Sequence, residues 1–130
     1  MSKVNRDLLL ARAAFVDQTR LALGEAYRVA NEIGNTLMAL GLNEVRLGLT
    51  KADDTYLREL ATKLASVAGG NVGVTIPVAQ LFEEIQVIFD TPAGLTLAID
   101  RVSEDDQALL REYLSTTVEL AQEYVRLSSK

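Results

Sequence analysis

The chain of 130 residues has no cysteine, no histidine, no tryptophan and only two prolines. Without cysteine there are no disulfides, no thiol nucleophile and no thiolate ligand. Without histidine the commonest metal ligand is missing, along with the side chain most often used as a general base near neutral pH. No apolar stretch approaches the roughly 18 residues that cross a bilayer, so no membrane-spanning segment is expected. Lys3 and Arg6 precede Leu8-Leu9-Leu10 in a way that superficially resembles a secretion signal. The apolar run is too short for one and is bracketed by Asp7 and Arg12, and the reading is a cytoplasmic protein.

What the chain does have is 48 % hydrophobic residues and 24 % charged ones, with a net charge of -5. That balance predicts a single helical domain over residues 1–130, with enough apolar mass for one core. An acidic total argues against a protein whose work is to coat nucleic acid or an anionic membrane. The sign is uneven, because residues 1–30 carry +2 and the remainder -7. No run of like charges reaches five, which fits an ordinary solvated surface.

Apolar periodicity supplies the main structural signal. Placed 100° apart, Val4, Leu8, Ala11, Phe15, Ala22, Ala26, Val29, Ile33, Leu37 and Leu40 share one side of a single helix, interrupted only near Gln18 and Thr19. Gly41 fits the stop after it, and Asn43 fits the cap of a short turn through Leu47. Gly24 and Gly34 are the weak points where that helix can break. A capping box of Thr50 and Asp53 predicts a helix over 51–68 with Leu57, Leu60, Leu64 and Val67 inward. Gly69-Gly70-Asn71 ends it.

Pro77 suits the first turn of a helix through Asp90, seamed by Leu81, Ile85 and Ile88. Thr91-Pro92 opens a short helix over 93–102, the alternative being a hairpin pairing Leu95–Ile99 with Ile85–Phe89. Ser103 with Glu104, Asp105 and Asp106 caps a last helix that runs to Leu127. Together these elements predict an all-α bundle of about four to six helices, with long first and last helices packed antiparallel.

Carboxylates are the only catalytic raw material in quantity: Asp53-Asp54, Glu83-Glu84, the Glu104–Asp106 cluster, and Glu25 with Glu32 one heptad apart. Helical di-iron sites need Glu-x-x-His pairs that this chain lacks, and first-turn or solvent-facing roles account for the acids. Gly69–Gly73 lacks the Lys-Ser/Thr of a phosphate loop and the strand before it. No hydroxyl is matched with a recognisable base. The sequence therefore points to no catalytic residue, no metal and no cofactor.

The first helix carries a second row, Leu10, Ala14, Asp17 and Leu21, opposite its main stripe and at four-three-four spacing. Apolar residues on two faces are expected when one faces the protein's own core and the other a partner. This row is the candidate interface, and the function it predicts is non-catalytic assembly, either as a homo-oligomer or as a subunit of a larger complex. Two alternatives belong to other classes. One is a small-ligand bundle or minor enzyme with an apolar pocket lined by Tyr27, Phe82, Phe89 or Tyr113. The other is an accessory subunit of a nucleoprotein complex reaching phosphates through Arg12, Arg20 and Arg28. Eight-residue spacing rotates each arginine about 80° from the last, so these three form no stripe.

Overall fold

The computed structural model describes residues 3–66 and 101–129, with side chains from residue 6 onward. These residues form helices α1 (Lys3–Glu32), α2 (Thr36–Gly48), α3 (Asp54–Ala65) and α4 (Glu104–Ser128), with a 3-10 turn at Leu49–Lys51 between α2 and α3. No strand occurs among the described residues, and none of their helices is long and apolar enough to cross a membrane. The helices predicted over 77–90 and 93–102, the Leu95–Ile99 hairpin alternative, and Val67 and the Gly69–Asn71 stop fall almost wholly outside the described residues.

Helices α1 and α4 pack along their lengths and run antiparallel. Contacts at three levels establish the direction: Arg28 meets Asp106, Gln18 donates to the Tyr113 carbonyl, and Phe15 lies against Tyr124. Buried apolar side chains on both helices form the core around this seam. Phe15, Ala22, Ala26, Val29 and Ala30 come from α1, and Leu110, Leu114, Val118, Ala121 and Tyr124 from α4, all buried. Thr19, where the sequence pattern has its interruption, is buried as well. Its hydroxyl donates to the Phe15 carbonyl at 2.7 Å, and Thr117 does the same toward Tyr113 at 2.8 Å. A threonine that returns its proton to its own helix enters a core without leaving an unmade hydrogen bond.

The first helix is not the continuous rod that the stripe suggests. It ends at Glu32, and Gly34 takes a positive φ of 83°. The Asn35 amide then donates back to Ala30 O at 2.8 Å and the Gly34 amide to Asn31 O at 3.1 Å, the hydrogen-bond pair of a Schellman stop. Asn35 at once caps α2, its side chain accepting from the Met38 amide at 3.1 Å. The second helix folds back along α1 and brings Arg46 beside Gly24 and over the Tyr27 ring.

Gly41 accordingly lies inside α2 and stops nothing. Asn43 accepts from the Arg46 guanidinium and caps no helix. The break also resets the helical phase. Met38, Ala39 and Leu42 turn inward, whereas Leu37 and Leu40, assigned to the core stripe, are 60 % and 58 % exposed.

Gly24 within α1 and Gly34 just past its end therefore make opposite predictions. Gly34→Ala should cost about 1–2 kcal/mol, because a side chain at positive φ is strained even though nothing lies within 4 Å of the added carbon. Gly24→Ala should stabilise by up to about 1 kcal/mol, since it lies in a helix interior and its new carbon meets Arg46 no closer than 3.6 Å. Urea titrations of the two variants read both signs.

Cap chemistry explains the other boundaries. Asp53, not Thr50, is the N-cap of α3, with extended backbone and a carboxylate that accepts from the Tyr56 amide at 2.8 Å. Thr50 sits in the 3-10 turn and donates to the Leu47 carbonyl. Leu57, Leu60 and Leu64 are buried as the periodicity requires, and α3 packs on α4. Ser103 caps α4 through the Asp106 amide at 3.1 Å, as its sequence predicts.

Candidate functional site

Packing of α1 against α2 and α4 determines which of its faces is left outside. Its inner residues, Phe15 through Ala30, point into the bundle, so the row half a turn away points out. Leu10 and Leu21 are 59 % and 56 % exposed, and Ala14 and Asp17 between them are exposed too. The row from Leu10 to Leu21 is about 16 Å long at 1.5 Å per residue. Leu9, 52 % exposed, flanks it. Asp17 and the neighbouring exposed Arg20 make no ion pair among the described residues.

A second apolar row was missed by the sequence pattern. On α2, Leu37, Leu40 and Leu47 are each about 60 % exposed, with Glu44 between them. The signal was present in the spacing, but reading α2 as a continuation of α1 placed two of the three leucines in the core.

The charged residues resolve into two clusters. Arg28 is the hub of one, with Nη2 2.8 Å from Asp106 and 3.0 Å from Glu25, and Nη1 3.0 Å from Glu32. Glu25 and Glu32, one heptad apart, are thus explained by the arginine between them. The hydrogen bond from Arg28 holds the Asp106 carboxyl below the usual range, helped by their charge attraction and by Ser103. Those carboxylates in turn push the Arg28 guanidinium further up.

The second cluster lies at the far end of the bundle, where Arg12 Nε is 2.8 Å from Asp54 Oδ1 beside Tyr124. Burial raises the Tyr124 phenol above its ordinary pKa, and the Asp54 charge adds to this, so the hydroxyl keeps its proton at neutral pH.

These positions bear on each alternative. Two of the three arginines offered for phosphates, Arg12 and Arg28, are already engaged with carboxylates. Tyr27 lies under Arg46, while Tyr113 lines a separate cleft with Gln18 and Thr116. Tyr27 is not among the described residues lining that cleft, and Phe82 and Phe89 fall outside the described residues. No group of three or more acidic side chains among the described residues is placed to hold a metal ion. Comparison with known protein families, with curated proteins and with solved structures finds no match.

Proposed function

We propose that the protein works by helix-mediated assembly, pairing with a second copy of itself through Leu10, Ala14, Asp17 and Leu21 of α1. The observation that carries this reading is the exposure of Leu10 and Leu21, 59 % and 56 %, on a helix whose opposite face is fully buried. An isologous pair with antiparallel α1 helices sets Leu10 opposite Leu21 of the other copy and Ala14 opposite Asp17. A parallel pair would stack Asp17 on Asp17 and is disfavoured by like-charge repulsion. Arg28 is held by three carboxylates, which leaves Arg20 as the cation free to offset the desolvation of Asp17.

Burying a fully exposed leucine contributes about 1.5–3 kcal/mol, and a symmetric pair covers four that are 56–59 % exposed, a gain comparable to the lower estimates of the entropy lost on association. Sedimentation is expected to give twice the 14.2 kDa of one chain. Leu10→Glu with Leu21→Glu should bring the mass down to one chain while helicity by circular dichroism is retained. A single-chain mass for the unaltered protein, or an unchanged oligomer in the variant, would sink the reading. The α2 row favours a further partner, because an isologous pair on α1 leaves Leu37, Leu40 and Leu47 uncovered.

A further inference from the structure

At the end of the bundle where the first third of α1, the start of α3 and the last turns of α4 converge, the described side chains line a half-open cavity of about 430 Å³. Its volume falls in the range of small-ligand pockets. Leu8 and Leu9 form an apolar wall, Tyr124 adds a phenol, and Arg12, Asp54 and Arg58 line the polar side. Neither Leu10 nor Leu21 is among the described lining residues, and the cavity adjoins the pairing surface through Leu9.

The charge of this site is opposite in sign to that of the protein. Two guanidinium groups and one carboxylate leave a local +1 on a chain of net -5. Arg12 is matched by Asp54, although its Nε makes no aligned hydrogen bond there despite the 2.8 Å separation. Arg58 is exposed and makes no ion pair among the described residues. Among the described residues its Nε donates to the Asp54 carbonyl, at 3.4 Å, and the outer edge of its guanidinium carries further donors for a ligand.

We propose that this cavity binds a small amphipathic monoanion, a medium-chain carboxylate whose head group is taken by Arg58 and whose tail lies on Leu8 and Leu9. A planar carboxylate matches the fork of a guanidinium, which binds it through two parallel hydrogen bonds. The neighbouring Asp54 selects against a second negative charge, because one unpaired arginine neutralises one charge only. This disfavours phosphate dianions. The apolar wall in turn selects against a carboxylate with no tail, which would leave the leucines in water.

Isothermal titration of the full chain with octanoate, 1-octanol and acetate separates these contributions. Octanoate should bind saturably with millimolar or tighter affinity. Octanol, which has the tail without the charge, and acetate, which has the charge without the tail, should each bind at least tenfold more weakly. Arg58→Gln should weaken octanoate at least tenfold, and its helicity should be unchanged because the side chain is exposed. Leu9→Gln supplies an independent variant, removing part of the apolar wall without touching the head-group site, and should weaken octanoate while leaving acetate as it was. Absence of saturable octanoate binding, octanol binding as well as octanoate, or an Arg58→Gln variant that binds octanoate like the unaltered chain would each overturn the proposal.

Discussion

Replacing Phe15 with alanine is expected to destabilise the protein by about 3–5 kcal/mol, as large aromatic-to-alanine changes in cores do. Phe15 is fully buried in the α1–α4 seam, its ring centroid 5.7 Å from that of Tyr124 and tilted by 32°. The substitution removes both the apolar area of the ring and its contact with a second aromatic. Because a domain of this size is stable by only about 5–15 kcal/mol in total, the variant should unfold at distinctly lower urea concentration. Phe15→Leu keeps most of the volume and should cost less than half as much. With no tryptophan in the chain, tyrosine fluorescence can follow both transitions, and Tyr124 reports from inside the affected seam.

Asp106→Asn should cost about 1–3 kcal/mol at pH 7, the range for hydrogen bonds to charged groups. Two local effects combine there. The carboxylate accepts from Arg28 Nη2 at 2.8 Å across the α1–α4 interface, and it also stands in the first turn of α4, at the positive end of the helix dipole. Glu25 and Glu32 remain on Arg28 in the variant, so the arginine is not stranded and the loss stays moderate. The group is also partly solvated, with 23 % of the Asp106 side chain exposed, which screens the interaction.

The pH dependence has a definite sign. Folding lowers the pKa of Asp106, so its contribution is fully present above the ordinary carboxylate value and is lost as pH falls through the lower folded value. The difference between the unaltered chain and Asp106→Asn should therefore shrink below about pH 4, near the ordinary aspartate pKa. Urea midpoints at pH 7 and pH 3 test this. A difference that did not shrink at all between pH 7 and pH 3 would mean that Asp106 acts through shape and not through charge. The chain has no histidine or cysteine, so no side chain with an ordinary pKa between about 5 and 8 complicates the comparison.

Much of the candidate surface was legible in the spacing of α1. Leu10, Ala14, Asp17 and Leu21 lie half a turn from Phe15 and Ala22, and a helix that buries one side necessarily presents the other. The α2 row and the end cavity were not legible, for different reasons. Leu37 and Leu40 continue the α1 stripe in register, so only the reversal at Gly34 reveals that they point outward. The cavity assembles Leu8, Arg12, Arg58 and Tyr124 from three helices far apart in the chain, and no local pattern encodes such a meeting.

The sequence by itself determined the helical class, the inward rows of α1 and α3, and the start of α4 at Ser103. Each of these follows from interactions within one or two helical turns, such as a capping side chain or an apolar residue every three or four positions. Only the tertiary structure decided where the first helix ends. Gly24 and Gly34 are equally poor helix formers, and although Asn35 beside Gly34 can cap a following helix, the apolar stripe runs through both glycines in register. An unbroken helix to Leu40 would be about 55 Å long, against a radius of gyration of roughly 14 Å for a compact chain of this size. A reversal at Gly34 keeps Gly24 beside Arg46 and lets α2 bury Met38, Ala39 and Leu42 in the bundle. That gain in buried apolar surface comes from contacts between separate helices and adds to the local cap at Asn35 in favour of a break at Gly34.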